Sequence, residues 1–221
     1  MGLCGLCGAR VKMSTTSDFI AQDYGSVRGD GSGGNNAQNF AAARATADAS
    51  YTGGLYGKVK VAYNDYVYLA RSVAEFDTSS ILAHSIITKV DLRLNISTNG
   101  LNAGEYIDIM KPSSMSASWL DDVDTYKDNI FDGILGGTFV GGLSQTSGSS
   151  GYEYWYDLSN SLIITGGLTF VGLITRTDRN NNVPTSTRDE QIVYTATGYK
   201  GARLTITYDD PPPGDLMFWF T

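Results

Sequence analysis

Residues 71–97, RSVAEFDTSSILAHSIITKVDLRLNIS, contain two strand patterns joined by a polar turn. In the second half, apolar and polar residues alternate, and a period of two is typical of a strand that is buried on one face and wet on the other. The first half, which ends at Asp77, predicts another strand, and residues 78–80 predict the turn that closes it. The apolar row consists of Ile86, Val90, Leu92, Leu94 and Ile96, and the polar row of Lys89, Asp91, Arg93 and Asn95.

Short strand patterns of the same kind recur along the chain, separated by turns rich in Gly, Asn and Ser. Residues 168–174 are apolar on both faces, which predicts a central strand covered on both sides. Many short strands without a repeat period predict an all-β fold, an antiparallel β-sandwich of the jelly-roll type with extended N- and C-terminal arms. We predict strands at 56–63, 66–76, 86–97, 105–111, 134–140, 152–158, 168–177, 191–195 and 202–208.

Two segments before residue 50 break this pattern. Residues 25–39, GSVRGDGSGGNNAQN, predict a long loop, because glycine and asparagine permit left-handed backbone. Arg28-Gly29-Asp30 within it matches an adhesion tripeptide, but chance explains one such tripeptide in a glycine-rich loop. Residues 40–49, FAAARATADA, are the one segment that favours a helix, with an irregular strand as the alternative.

Length and charge limit the classes of function. The 221 residues suit one large β-domain, which we divide into an N-terminal arm (1–13), the sandwich (14–208) and a proline-rich linker with an apolar tail (209–221). The net charge of −7 argues against a nucleic-acid partner, which needs a basic surface. No apolar run is long enough to span a bilayer, so we expect no membrane partner.

The N-terminal residues 1–13, MGLCGLCGARVKM, predict an apolar, glycine-rich arm. They lack a basic leader before an apolar core, so we expect no secretory signal and synthesis in the cytoplasm. Cys4 and Cys7 form a single CxxC, and no second pair completes a zinc site. We interpret both as plain thiols, with intermolecular disulfides as the alternative, and expect neither metal nor cofactor.

The catalytic signals in the sequence are weak. His84, the one histidine, follows a serine-rich turn, so we interpret it as a solvent-facing turn residue rather than a catalytic base. Residues 105–109, EYIDI, resemble the acidic strand of jelly-roll glycanases, but positions three apart on a strand face opposite sides, so Glu105 and Asp108 do not converge. We therefore expect no enzyme and no catalytic residue, and a glycanase or lyase is the weakest alternative.

Two further groups of residues suggest ligands. The acidic stretch at 121–132 offers oxygen ligands for calcium, but it lacks the EF-hand glycine and glutamate, so we favour a solvated loop. Exposed aromatic rings can stack on sugars, although aromatic residues in strands are more often part of the core. The aspartates of the acidic stretch are Asp121, Asp122, Asp124, Asp128 and Asp132, and the candidate glycan-binding residues are Trp119, Tyr154, Trp155 and Tyr156.

The C-terminal residues carry the strongest signal for a partner. Pro211-Pro212-Pro213 form a stiff segment that advances about 3.1 Å per residue and does not extend a sheet. Residues 216–220, LMFWF, follow and are wholly apolar. Such a segment is an aggregation liability when exposed, which predicts that it meets a partner, with docking on its own sandwich as the alternative. The candidate partner-binding residues are Leu216, Met217, Phe218, Trp219 and Phe220, with Leu3 and Leu6 of the N-terminal arm.

Several motifs resemble those of the DNRLRE-type jelly-roll domains over residues 56–208. They are FDTSSI at 76–81, Ile87-x-x-Val90-x-Leu92-x-Leu94, Trp155-x-Asp157-Leu158-Ser159 and the closing RLTITY at 203–208. That family is similar to carbohydrate-binding modules and occurs in surface proteins and phage structural proteins. The resemblance implies a jelly roll that binds or builds rather than one that catalyses.

The sequence thus leads to two expectations of function. The first is a non-enzymatic structural protein of a virus or phage particle, a capsid decoration (cement) or head-fibre protein. It would assemble with copies of itself or with a capsid lattice through its terminal arms, and it would be located in the virion. The second is a carbohydrate-binding module that binds glycans through strand-face aromatic residues.

Overall fold

The computed structural model describes residues 14–51, 56–63, 67–101, 105–143, 151–185, 188–198 and 200–210. These residues form strands and short helices in the following order. They are β1 (Ser14–Ile20), β2 (Asp23–Gly31), α1 (Asn36–Ala45), β3 (Ala49–Tyr51), β4 (Tyr56–Tyr63), β5 (Val67–Asp77), β6 (Ile86–Asn99), β7 (Ile107–Lys111), α2 (Ala117–Asp121), α3 (Val123–Leu135), β8 (Thr138–Leu143), β9 (Gly151–Trp155), β10 (Leu168–Thr175), α4 (Arg176–Arg179), β11 (Arg188–Thr195) and β12 (Arg203–Asp209).

The strands form two antiparallel layers. The first, which we call the polar sheet, has the order β1-β12-β6-β9. The second, the helix-covered sheet, has the order β3-β2-β5-β10-β7-β8. Strand β4 pairs with β5, and β11 pairs with both β4 and β6, so hydrogen bonding continues from one layer to the other. The predicted antiparallel β-sandwich is confirmed.

The main hydrophobic core lies between the two sheets. Trp155 and Leu94 of the polar sheet pack in the same cluster as Phe76 and Leu173 of the helix-covered sheet, and all four are at most 2% exposed. Full burial of each such side chain contributes about 1.5–3 kcal/mol. The buried hydroxyl of Tyr194 is satisfied by a 2.7 Å hydrogen bond to the Ser72 hydroxyl of β5. The inner face of the polar sheet is therefore fixed by packing, which leaves its outer face to solvent.

Helices cover the opposite face of the helix-covered sheet. The sheet is consequently enclosed on both sides, and β5 is buried at every position except Asp77. The prediction that residues 168–174 form a central strand is confirmed, because β10 lies between β5 and β7. The helical residues in these contacts are Ile130, Phe131 and Ile134 of α3 against Val73 and Ile174, and Phe40 and Ala43 of α1 against Val67 and Leu69.

Strand β2 corrects the prediction of a long loop at residues 25–39. The chain stays extended to Gly31, so Arg28-Gly29-Asp30 lies in a strand and not in a loop. A Cβ atom on Gly29 would lie 2.0 Å from the carbonyl oxygen of Ala43, and one on Gly31 would lie 1.8 Å from that of Asn39. The glycines therefore allow the backbone of α1 to rest directly on the strand. Helix α1, capped by Asn35, begins four residues before the predicted helix.

The acidic stretch corrects a second prediction, since residues 117–135 form α2 and α3 where a solvated loop was expected. The Asp122 carboxylate begins α3 by accepting a 3.2 Å hydrogen bond from the Thr125 backbone N–H. Buried residues then recur with a helical period from Val123 to Ile134, so the aspartates occupy the other positions. The strand predicted from residue 134 begins only at Thr138. No helix of the described residues is long and apolar enough to cross a membrane.

A bulge in β6 corrects the assignment of one residue in its apolar row. The register with β12 pairs Lys89 with Thr207 but Ile87 with Tyr208, so Thr88 is an extra residue on β6. The alternation therefore changes phase, and Ile87 packs against the core while Ile86 is 59% exposed. From Val90 to Ile96 the predicted alternation holds.

Candidate functional site

The outer face of the polar sheet carries a shallow cleft of about 250 Å³. Four neighbouring strands supply its side chains. These residues are far apart in sequence and come together only through strand pairing. We call this surface the tyrosine face. Its lining residues are Asp18, Asp91, Leu92, Arg93, Tyr154, Tyr156, Arg203 and Thr205.

Strand register places these side chains in two rows across the sheet. In one row Arg203 of β12 lies opposite Arg93 of β6, which lies opposite Tyr154 of β9. In the neighbouring row Asp18 of β1 lies opposite Thr205, and Thr205 lies opposite Asp91. Side chains that are directly opposite one another on one face of a sheet are within contact distance. The cleft therefore combines arginine and aspartate side chains with aromatic rings at one edge.

The aromatic edge consists of tyrosines at every second position of β9 and just beyond it. Tyr152, Tyr154 and Tyr156 are 46%, 41% and 61% exposed. The rings of Tyr154 and Tyr156 are stacked, with centroids 5.7 Å apart and an interplanar angle of 3°. Asp157 has a left-handed backbone (φ 53°) and donates its N–H to the Asp91 carboxylate at 2.9 Å, which fixes the end of this row. The two rings thus lie in parallel planes at the edge of the cleft.

Trp155 does not belong to this surface. Its neighbours Tyr154 and Tyr156 face outward, so the alternation of the strand turns Trp155 inward. Its side chain is 2% exposed and packs in the main core with Leu158. The hypothesis that Trp155 binds a glycan is therefore wrong, because its ring has no accessible face.

Most of the charge on the tyrosine face is already paired. Arg203 binds Asp18 at 2.9 Å, and Lys89 binds Asp91 at 2.7 Å. The Thr205 hydroxyl donates to Asp18 at 2.6 Å. This hydrogen bond, assisted by Arg203, lowers the pKa of Asp18, and the hydrogen bond to Asp91 raises the pKa of Lys89. These pairs hold the side chains in place around the cleft.

Arg93 differs from the other charged residues of the tyrosine face. Among the side chains that the structure describes, it forms no ion pair, although its charge helps to lower the pKa of Asp18, and its Nε is buried without a hydrogen-bond partner. Its guanidinium carbon lies 4.5 Å from the centroid of the Tyr152 ring, a cation–π contact that engages the face of the guanidinium rather than its N–H groups. Arg93 can therefore donate to an anionic or carbonyl oxygen in the cleft.

The arrangement suits a sugar chemically. The C–H face of a sugar ring packs against the negative face of an aromatic ring, and its hydroxyls take hydrogen bonds from arginine and give them to carboxylates. Tyr154 and Tyr156 supply the rings, and Arg93 and Asp91 supply a donor and an acceptor within one cleft. A sugar that carries a carboxylate gains a charge-assisted hydrogen bond with Arg93.

Trp119, the remaining glycan candidate, lies on the other side of the molecule. It belongs to α2, is half-buried, and packs against the cluster between the helices and the helix-covered sheet. Its ring stacks on that of Tyr126 in α3, with centroids 6.0 Å apart. The structure therefore brings Tyr154 and Tyr156 together and separates Trp119 from them.

Glu105 and Asp108, which resembled a glycanase strand, are both buried at the short helix α4. Glu105 accepts a 3.0 Å hydrogen bond from the Thr177 backbone N–H, and Asp108 binds Arg176 at 2.8 Å and also Arg179. Each carboxylate is thus turned onto α4 and serves to fix it. The prediction that the two do not converge is wrong, because Glu105 precedes β7 and strand alternation does not apply to it.

The remaining candidate residues are exposed in a turn, make contacts that join parts of the fold, or lie outside the described residues. His84 is exposed in a turn, as predicted. Asp128 accepts the Ala47 N–H at 2.8 Å, and Asp124 contacts Ser50, so these aspartates join α3 to β3 and to the segment before it. Within the described ranges no group of three or more potential ligands is placed to hold a metal ion. Cys4, Cys7, Leu3, Leu6 and the tail residues Leu216, Met217, Phe218, Trp219 and Phe220 lie outside the described residues.

Sequence reasoning missed the charged half of the tyrosine face. Arg93 and Asp91 were recognised as the wet side of β6, but nothing in the sequence pairs them with Asp18 and Arg203, more than 70 residues away. One available signal was the alternation Tyr152-x-Tyr154-x-Tyr156. Because side chains alternate between the two faces of a strand, the three tyrosines are expected on one face and Trp155 on the other.

Comparison with known proteins gives no family for the chain. No protein-family model matches it, and the search of curated proteins finds no significant match.

Proposed function

We propose that this chain is a non-enzymatic structural protein of a virus or phage particle, a capsid decoration (cement) protein or a head-fibre protein. The observation that carries the proposal is a sandwich whose hydrophobic clusters are formed by described residues and which an apolar segment follows in sequence. Strands and helices between residues 14 and 210 form the three clusters of buried apolar side chains, and residues 216–220, LMFWF, follow three consecutive prolines. The proposed partners are further copies of the chain or a capsid lattice, and the proposed location is the virion.

The proposed mechanism is association through the terminal arms. Full burial of one large apolar side chain contributes about 1.5–3 kcal/mol. Ordering a side chain at an interface costs about 0.5–1.5 kcal/mol, so each fully buried side chain of 216–220 contributes a net gain toward the cost of association itself. Linked contacts reinforce one another in a lattice, so a short segment present on every subunit is sufficient for stable assembly.

Deletion of residues 211–221 tests the proposal. We expect the truncated protein to keep its circular dichroism spectrum and its urea midpoint, because the three buried apolar clusters consist of residues between 14 and 210. We expect it to lose assembly, measured as mass by analytical ultracentrifugation. The full chain with Tyr154→Ala serves as the control, since this substitution leaves the tail intact. A truncated protein that assembles normally contradicts the proposed role of the tail.

The second candidate function is glycan binding, and the tyrosine face is the observation that favours it. Two exposed, stacked tyrosines border a cleft that also presents Arg93, which forms no ion pair among the described side chains. A carbohydrate-binding module needs such a surface and no catalytic group. The guanidinium of Arg93 favours glycans that contain uronic acids or other acidic sugars.

A glycan array with purified protein tests the second candidate. We expect Tyr156→Ala and Arg93→Ala each to weaken binding at least about ten-fold, which corresponds to 1.4 kcal/mol. Phe139→Ala is the matched control, because Phe139 is an aromatic residue of similar exposure (44%) on β8 of the helix-covered sheet. Equal binding by all variants, or no binding by the wild type, excludes this function. The result is independent of the assembly experiment.

A further inference from the structure

One end of the sandwich exposes an apolar surface. Leu82, Ile86 and Ile164 are 56%, 59% and 43% exposed. The two loops that carry Leu82 and Ile164 are tied together, since the Gly166 N–H donates to the Ile81 carbonyl at 2.8 Å and the Thr165 hydroxyl donates to the Ala83 carbonyl at 3.2 Å. Hydrogen bonds thus hold these exposed side chains on rigid loops, although large apolar side chains at loop tips are unfavourable in water.

The surface continues into a cleft of about 280 Å³. Ile164 belongs to both, so the exposed residues and the cleft form one surface, which we call the end surface. A volume of this size is at the lower limit for a small-molecule site and suits one or two large side chains of a peptide. The cleft is lined by Lys111, Pro112, Ser113, Ser114, Met115, Leu162, Ile164 and Phe170.

The described chain ends beside the end surface. Asp209, the last residue of β12, pairs with Ile86, and the next residue, Asp210, accepts a 3.0 Å hydrogen bond from the Ser85 hydroxyl. The remaining sequence is eleven residues long, begins with three prolines and contains the apolar segment 216–220. The donor of an apolar segment and a surface able to accept one are therefore at the same end of the molecule.

We propose that the end surface receives the segment 216–220 of a second copy of this chain. The proposal rests on the assembly function above and names the surface that accepts the tail. Consecutive prolines restrict the backbone to an extended form, which opposes an immediate return to the same copy. Because donor and acceptor share one end, two copies that meet end to end about a two-fold axis exchange their tails reciprocally, and the contact closes.

A complementation experiment tests the exchange in solution. One full-length variant lacks the acceptor (Leu82→Ser with Ile164→Ser), and another lacks the donor (Phe218→Ser, Trp219→Ser and Phe220→Ser). We expect the wild type to have twice the monomer mass by light scattering and each variant alone to be monomeric. Mixing the two variants restores one tail and one acceptor, so we expect a heterodimer. Ile20→Ser, at an exposed apolar residue of β1 (37%), is the control and is expected to dimerise normally.

The possible outcomes separate this inference from the proposed function. An acceptor variant that dimerises like the wild type overturns the end surface as the docking site, while loss of assembly in the donor variant still supports assembly by the tail. Mixed variants that stay monomeric, while the wild type dimerises, show that the tail of one copy does not pair with the end surface of another, which also overturns the exchange. A wild type that is monomeric at all accessible concentrations overturns the exchange. Its failure to assemble on particles as well contradicts the proposed function itself.

Discussion

The two sheets of the sandwich differ in the burial of their charged side chains. In the helix-covered sheet, Arg71 of β5 is fully buried and binds Asp178 at 2.7 Å, and Asp178 is 1% exposed and also binds Arg44 at 3.0 Å. Arg71 additionally donates to the Phe131 carbonyl at 2.9 Å and lies over its ring. On the polar sheet, Asp18 and Arg203 form their pair in contact with water, with 46% and 25% of their side chains exposed.

This difference separates charges that hold the fold from charges that are available to a ligand. A buried ion is tolerated only when partners replace its lost hydration, so every contact of Arg71 and Asp178 is committed to the interior. Exposed pairs contribute little to stability, so charges around the cleft can engage a ligand at small cost to the fold. Sequence alone does not distinguish the two kinds of arginine, because burial decides between them.

The largest expected effect concerns the buried pair. Asp178→Ala removes the carboxylate that serves Arg71 and Arg44 and leaves a buried guanidinium without a counter-charge. We expect a loss of about 3–5 kcal/mol in the free energy of unfolding, measured by urea denaturation. Asp18→Ala, the same substitution in an exposed pair, is the control and should cost far less. Equal effects at the two sites contradict the contrast between the sheets.

The second prediction compares neighbouring aromatic residues of the polar sheet. Trp155→Ala creates a cavity in the main core, and we expect a loss of about 3–5 kcal/mol. Tyr156→Ala removes a ring that is 61% exposed, and we expect a change within about 0.5 kcal/mol. Urea denaturation of both variants measures the difference. A small loss of stability in Trp155→Ala would indicate that the Trp155 side chain points to solvent. Tyr154 and Tyr156 would then point to the core.

Sequence patterns predicted the strands that have one wet face. Val90 to Ile96 of β6 and Leu204 to Tyr208 of β12 alternate because one side of each strand meets the core and the other meets water. The predictions failed where a helix lies on the sheet. In β2, glycines that look like loop residues are needed for close approach of α1, and in α3 aspartates occupy the solvent side of an amphipathic helix.

The tyrosine face was only half predictable for a different reason. Tyr154 and Tyr156 are neighbours in sequence, so alternation alone places them on one side. Arg203 and Arg93 meet because β12 and β6 pair in a particular register, which includes a bulge at Thr88. Register depends on long-range contacts that no local pattern encodes.

The third prediction concerns an exception among the buried charges of the helix-covered sheet. Glu75 is 6% exposed, and its Oε2 has no hydrogen-bond partner among the described residues. Desolvation and the nearby carboxylates of Asp23 and Asp121 raise the pKa of Glu75 above its ordinary value of 4.5. The folded protein therefore binds more protons than the unfolded chain, and stability falls as the pH rises from 4.5 through the raised pKa.

Glu75→Gln removes this ionisation. We expect a gain in stability of about 0.5–2 kcal/mol at pH 7–8, which disappears as the pH falls towards 4.5. Urea denaturation at several pH values measures it. Asp77→Asn on the same strand is the matched control, since hydrogen bonds from Ser79 lower the pKa of Asp77 and predict the opposite sign. A gain that does not depend on pH points to packing rather than to charge.

The smallest expected effect belongs to the exposed pair that began the comparison. The hydroxyl of Thr205 and the guanidinium of Arg203 lower the pKa of Asp18 below its ordinary value of 3.8. The Asp18–Arg203 pair therefore stabilises the fold above pH 3.8 and loses its contribution as the pH falls through the lowered pKa. At pH 7 we expect Asp18→Ala to cost about 0.2–1 kcal/mol, and less at high salt because nearly half of the carboxylate side chain is in water. Urea denaturation in low and high salt measures both effects. Asp18 also borders the cleft beside Arg93. If Asp18→Ala barely changes stability but alters glycan binding, the charges of the polar sheet serve recognition. A large, salt-independent loss of stability would instead give them the same structural role as Arg71 and Asp178.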